Sequence, residues 1–272
     1  MVQVRKAVVL ARGLGTRMQR PDPNASLQPG QADAAAAGAK AMMPFGRPFL
    51  DYVLSGLADA GYTDVCLVIG PEHDAVREYY TRKRPPRRTR VTFAVQQRAL
   101  GTADAVRAAE AFTAGELFLT INADNLYPIE AYRALRAIGQ PGLAAFSRDA
   151  LVGAGAIDGD RIRAFAIVTF GADCELQDIV EKPDERTVAG VGGDMYVSMN
   201  CWLFDRSIFS ACAAVPVSAR GELELPEAVR FAIRTLGHRF RVLAFDLPVL
   251  DLSTRSDVAI VAERLAGIEP EP

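Results

Sequence analysis

Lys6-Ala7-Val8-Val9-Leu10-Ala11-Arg12-Gly13-Leu14-Gly15-Thr16-Arg17-Met18 is a short apolar strand running into a glycine-rich turn that ends in a cation. Glycine lets backbone N–H groups turn inward and approach an anion closely, and an arginine just beyond supplies fixed charge, so a turn of this composition at the carboxyl end of a buried strand suits a phosphate cradle. Three plainer readings compete: a tight turn with no ligand, and two familiar cradles that the residues disfavour. A dinucleotide fingerprint G-x-G-x-x-G needs glycine where Met18 stands, and the acid twenty residues on, Asp33, lies in an alanine-rich stretch, not at the end of a second strand. A P-loop needs Gly-Lys-Ser/Thr, which is missing.

Outward from that turn, β-branched apolar runs alternate with longer amphipathic segments. Strands are expected at Lys6–Leu10, Val65–Ile69, Val91–Val95, Leu117–Asn122 and Gly142–Phe146. Helices are expected at Phe49–Ala60, His73–Tyr80, Thr102–Ala111 and from Pro128 to Ile138. This alternation predicts an α/β fold, a Rossmann-like mixed, mostly parallel sheet flanked by helices. Beyond it, Gly155–Asp160, Ile162–Thr169 and Ile179–Lys182 read as short strands and turns with antiparallel character. A strand at Met195–Phe204, a helix at Leu223–Leu236, a strand at Arg241–Phe245 and a helix at Ser256–Leu265 follow. Gln19–Ala39 carries almost no large apolar residue and is expected to be a mobile surface insertion, with one helical turn at Ala34–Ala37 at most.

Composition limits the partners. With 272 residues, half of them hydrophobic, and a net charge of −2, the chain can bury a large core and has no general attraction for nucleic acid or membrane. Thr81–Arg90 crowds cations around Pro85 and Pro86 but interleaves no aromatic residue for base stacking, so it reads as a solvated loop. The four cysteines form no C-x-x-C pair and read as reduced thiols, and His73 and His238 are too scattered for a zinc site. With no leader and no membrane-length apolar run, the expected location is cytoplasmic.

Further motifs narrow the chemistry. Gln96-Gln97-Arg98-Ala99-Leu100-Gly101-Thr102 follows a strand with a bare glycine, against which a flat base can lie, and an amide that can bond its edge. Asn122-Ala123-Asp124 ends a buried strand on a carboxylate, the usual position for a magnesium ligand in open α/β sheets. Glu181-Lys182-Pro183 sets a cation beside an acid before a rigid turn, and Asp251 in Leu250-Asp251-Leu252-Ser253 offers a second carboxylate. Each has a plainer reading: helix cap for Asp124, surface lysine for Lys182, turn residue for Asp251.

Taken in order, these motifs resemble the sugar-1-phosphate nucleotidylyltransferase family, which includes glucose-1-phosphate thymidylyltransferases and uridylyltransferases, over nearly the whole chain. The resemblance implies that the Leu10–Met18 loop, with Leu10, Ala11, Gly13, Gly15, Thr16 and Arg17, wraps a triphosphate; Arg12 stands where a small residue is common. It implies a catalytic lysine at Lys40, in the segment ending at Pro44, and a base-reading set of Gln96, Gly101 and Thr102. Lys182 would hold the sugar phosphate, Gly155, Glu181 and Asn200 would contact the sugar, and Asp124 and Asp251 would hold Mg2+; around Asp251 the family's Trp and Gly are missing. One domain is implied, with a nucleotide-binding part over about 1–125, a sugar-binding part over about 126–255 and an insertion at 19–39.

The activity implied is attack of a sugar 1-phosphate oxygen on the α-phosphorus of a nucleoside triphosphate, UTP or dTTP favoured, with loss of pyrophosphate and no covalent enzyme intermediate. Partners are then a triphosphate and a sugar 1-phosphate, with homo-oligomerisation left open. Three alternatives stand beside it: a non-catalytic nucleotide-sugar-binding relative, a transferase acting on a non-sugar phosphate such as phosphocholine, and a nicotinamide-dependent oxidoreductase, which the missing third glycine disfavours. No repeat domain follows, so a bifunctional acetyltransferase is not expected.

Overall fold

A computed structural model of the chain describes residues 3–153, 157–191 and 194–272, excluding the side chains of 160 and 189–191. Nine strands form one sheet: β1 (Lys6–Leu10), β2 (Asp64–Ile69), β3 (Arg90–Val95), β4 (Phe118–Asn122), β5 (Gly142–Ser147), β6 (Ala166–Phe170), β7 (Leu176–Val180), β8 (Tyr196–Phe204) and β9 (Arg241–Phe245). The path runs β7-β6-β8-β4-β1-β2-β3, and β5 pairs with both β8 and β9. β4-β1-β2-β3 are mutually parallel, whereas β8 is antiparallel to β4, β5 and β6. The sheet is therefore mixed, with its parallel block on the side of the glycine turn.

Burial follows the period of two. Along β1, Ala7 and Val9 enter one apolar layer and Val8 and Leu10 the other, so the strand is apolar on both faces because helices cover both. One layer is closed by α2 (Phe49–Asp59), α4 (Ile129–Ile138) and α7 (Asp257–Leu265), and the other by α3 (Thr102–Ala108), α5 (Ile208–Ala214) and α6 (Leu225–Leu236). In α4 the buried residues Ala131, Tyr132 and Leu135 recur at helical spacing, and Gly139 ends the helix in the left-handed region at φ 65°.

Four expected features differ. The Gln19–Ala39 insertion is not featureless: α1 spans Pro29–Ala36, with Pro29 at its first turn and Ala35 fully buried in the core. Gln31 is buried beside it, donating from Nε2 to the Pro44 carbonyl (3.1 Å) and accepting from the Gln28 N–H (3.1 Å), so its amide is satisfied inside the fold. His73–Tyr80 becomes a shorter helix, Asp74–Glu78, that continues as a π-turn over Tyr79–Lys83. Ile162 lies in a 3-10 turn, Gly159–Ala164, with the strand beginning only at Ala166. The expected helix Thr102–Ala111 breaks at Ala109. No helix among the described residues is long and apolar enough to cross a membrane.

Candidate active site

A cleft of about 400 Å³ opens at the carboxyl ends of β1, β3 and β4, within the range of small-ligand sites. Every residue from Leu10 to Arg17 lines it, together with Lys40, Gln96, Gly101, Thr102 and Asp124. Eleven residues singled out from scattered motifs thus converge on one space. Lys182, Glu181, Asn200 and Asp251 do not line it, and Gly155 lies outside the described residues.

The glycine turn is locked from behind. Gly15 has φ 62°, and a Cβ built on it would lie 2.3 Å from the Gly38 carbonyl oxygen; Gly38 has φ 68°, and its Cβ would lie 2.4 Å from the Leu14 oxygen. The two glycines pack backbone to backbone, which no side chain permits. This contact seats the end of α1 on the phosphate-type turn, and two residues later Lys40 enters the cleft. Its ammonium pairs with Asp124 Oδ2. Arg17 is exposed at the cleft and enters none of the ion pairs among the described residues.

On the far side, Gln96 Nε2 donates to the Gly101 carbonyl (3.0 Å) and to Asp104 Oδ2 (2.9 Å), so two acceptors fix the nitrogen and leave Oε1 as the free end of the amide. Gly101 holds φ 112°, and a Cβ there would also strike Leu223, at 2.5 Å from its oxygen, so both conformation and space call for glycine. Leu223 is paired across this contact, donating to the Leu100 carbonyl (2.7 Å) and accepting from Ala103 N–H (2.9 Å), and Leu225 N–H donates to Thr102 Oγ1 (2.8 Å). The Thr102 hydroxyl is thereby tied into the scaffold.

That clamp carries a set of charges the motifs did not reveal. Arg220 and Glu222 line the cleft, and Arg220 bonds Glu224 (2.9 Å) and Glu222 (3.1 Å). Lys182 Nζ lies 3.6 Å from Glu181 and 3.9 Å from Glu224, so Glu181-Lys182 adjoins the cleft through this group. Lys182 itself adopts φ 45° immediately before Pro183, a left-handed conformation costing roughly 1–2 kcal/mol for a residue with a side chain. Burial, and then the neighbouring Glu224, raise the Glu181 carboxyl to about 7. In the sequence, the only cue to this group was Arg220-Gly221-Glu222-Leu223-Glu224, charges flanking a glycine ahead of a helix.

Asp251 stands behind Asp124. It pairs with Asn125 in a two-stranded ribbon, Asn125–Leu126 against Leu250–Asp251. One oxygen accepts from Asn125 Nδ2 (2.9 Å) and Ser253 Oγ (3.0 Å), and the other is held by Arg161, which also bridges to Asp257. Burial and the nearby Asp124 push its carboxyl up from the ordinary range. For Mg2+, Asp124 fits: it lines the cleft, and among the described residues its ion-pair partner is Lys40 alone. Asp251 fits only if Arg161 lets go, and no group of three or more His, Cys, Asp or Glu among the described residues forms a metal cage. Asn200 occupies a bulge in β8 at φ 60°, a conformation asparagine tolerates, with Oδ1 accepting from Trp202 Nε1 (3.4 Å).

A glycine turn, a cation beside an acid and an amide-bearing loop along one edge of a parallel block define a nucleotide-handling α/β protein. The chain belongs to the nucleotidyl transferase family, whose model matches residues 33–244. It is 25% identical over 261 residues to the UTP–glucose-1-phosphate uridylyltransferase AglF of Haloferax volcanii, covering 96% of each chain. It is 24% identical over 230 residues to the bifunctional protein GlmU of Methanococcus vannielii, covering 84% of this chain but 48% of that one, so it spans about half the length of that relative. In fold it matches a UDP-glucose pyrophosphorylase solved with UDP-glucose, at a TM-score of 0.73 and 15% identity over 96% of this chain and 98% of that one.

Proposed function

We propose that this chain transfers a nucleotidyl group from UTP or dTTP to a sugar 1-phosphate, releasing pyrophosphate. The observation that carries this reading is the convergence of the glycine turn, the Lys40–Asp124 pair and Gln96 in one cleft. Such transfer asks a protein mainly to position two anions and neutralise their charge. The turn N–H groups and Arg17 receive the triphosphate. Lys40 exchanges its carboxylate partner for a phosphate oxygen, and Lys182 holds the attacking phosphate, whose oxygen bonds to the α-phosphorus as the bond to the pyrophosphate leaving group breaks. Mg2+, held by Asp124 and phosphate oxygens, with Asp251 a ligand only if Arg161 releases it, would supply further charge neutralisation.

Gln96 Oε1 supports the base preference. It accepts from a ring N–H, which uracil and thymine present at N3, whereas cytosine and adenine present a bare ring nitrogen. Burial lifts the Cys66 and Cys212 thiols to about 11 and about 12, so neither serves as a nucleophile.

The test is pyrophosphate release with Mg2+ across five nucleoside triphosphates and a panel of sugar 1-phosphates, with phosphocholine included. Release requiring UTP or dTTP with one sugar 1-phosphate is expected. Lys182→Ala should lower turnover about 100-fold, on the order of 3 kcal/mol. Undiminished turnover in that variant would remove Lys182 from the mechanism, and triphosphate binding without release for any pair would favour a non-catalytic relative.

A further inference from the structure

We propose that Arg12 is the residue by which this chain separates a 2,4-dioxopyrimidine nucleotide from a guanine nucleotide; this rests on the nucleotidyl-transfer reading above. Gln96 alone cannot make that distinction, because guanine also presents a ring N–H, at N1, to an acceptor. The difference lies beside it. Uracil and thymine flank the N–H with two carbonyl oxygens, whereas guanine has a carbonyl on one side and an amino group on the other. A donor–acceptor–donor face accepts the first pattern, and its second donor repels the guanine amino group.

Arg12 is built to be that donor. Its side chain is 9% exposed, yet it lines the cleft. Glu72 anchors one edge of the guanidinium, at 3.3 Å from Nε and 3.5 Å from Nη2. Glu72 stands in the turn after β2, which is closed by Gly70 N–H on His73 Nδ1 (3.0 Å) and His73 N–H on the Gly70 carbonyl (3.2 Å). The remaining nitrogen, Nη1, is buried with no hydrogen-bond partner. A buried donor left unpaired is costly, and a ligand that bonds it removes that cost.

The strand order sets its place along the ligand. At the sheet edge Asp124 follows β4, Arg12 follows β1, Glu72 follows β2 and Gln96 follows β3. Gln96 Nε2 is held by the Gly101 carbonyl, and the strand order sets Arg12 on the β1 side of Gln96. Arg12, within the phosphate turn, and Gln96 thus line the same cleft from strands two places apart, with Arg12 on the side toward the phosphates.

The test is calorimetric binding of UTP, dTTP and GTP, each with Mg2+, to the full chain and to Arg12→Ala and Arg12→Gln, with thermal melts as a control of folding. The expected result is that Arg12→Ala narrows the preference for UTP or dTTP over GTP by about tenfold, chiefly through weaker pyrimidine binding, and that Arg12→Gln, which keeps an N–H donor without the charge, retains more of it. Equal loss for all three triphosphates would mean that Arg12 serves the phosphates and would overturn the proposal, as would an unchanged preference. Should Arg12→Ala fail to fold, Glu72→Gln, which frees the guanidinium from its anchor, carries the same two outcomes. An unmodified chain that releases pyrophosphate from UTP while its Arg12 variants keep their selectivity overturns the role of Arg12 alone; one that binds no triphosphate overturns the function as well.

Discussion

Glu181 is a carboxyl whose surroundings oppose its charge. Its side chain is 16% exposed and shares its space with Glu224, so burial and a like charge hold its proton to about 7, against 4.5 for an ordinary glutamate. The folded chain then binds a proton that the unfolded chain has lost between those two values. Stability contributed by this group is complete below pH 4.5 and is lost as pH rises through 7. Glu181→Gln should therefore be more stable than the parent at pH 8, by about 3 kcal/mol, with the gap closing near pH 4. Urea unfolding at both values measures this, and a gap independent of pH would mean that the raised proton affinity is not real. Arg12 belongs to the same scale: its Nη1 is buried without a hydrogen-bond partner at a residue that lines the cleft.

Among elements, the glycine turn and α1 act as one unit. Gly15 and Gly38 touch through backbone atoms alone, so the insertion positions Lys40 by pressing on the turn that precedes it. Gly15→Ala forces a Cβ into the Gly38 carbonyl and a side chain into the left-handed region, and should lower both melting temperature and triphosphate affinity, the strain alone costing roughly 1–2 kcal/mol. Gly13 has nothing within 4 Å of a built Cβ, so Gly13→Ala should weaken triphosphate binding with little change in melting temperature. Equal effects of the two substitutions on stability would show that the Gly15–Gly38 contact is not what holds the turn. The β-strands were legible because their apolar runs fill both faces of the sheet, and the residues of the cleft were legible because glycine, amide and carboxylate fell at strand ends. α1 was not legible: its buried face is Ala35 and Gln31, which carry no hydrophobic signal. Nor was the Arg220–Glu224 clamp, because its place over Gly101 is set by backbone pairing between residues more than a hundred positions apart.

At the scale of the whole molecule, the two acids proposed to serve the metal are each neutralised by a cation from a distant part of the chain: Lys40 for Asp124 and Arg161 for Asp251. Arg161 does more than neutralise. From the turn before β6 it reaches both Asp251, in the ribbon behind the cleft, and Asp257, at the start of α7, so it ties three separate segments at one buried point. Asp257 has other donors, accepting from Ser253 N–H (2.9 Å), Thr254 N–H (2.6 Å) and Thr254 Oγ1 (2.9 Å). Among the described residues Asp251 has the neutral Asn125 and Ser253 besides Arg161. Arg161→Gln should thus leave Asp251 as the uncompensated charge and destabilise the fold by about 3 kcal/mol at pH 8. Removal of the arginine pushes an already raised carboxyl further up, so the folded variant gains protons that its unfolded state lacks, and the destabilisation should shrink as pH falls toward 4. Loss of the same size at both values would mean that Arg161 acts by packing. Should Mn2+ bind the variant more tightly than the parent, followed by its electron paramagnetic resonance signal, then Arg161 and the cation compete for the same Asp251 oxygen, and the arginine sets how readily the second carboxylate joins the site.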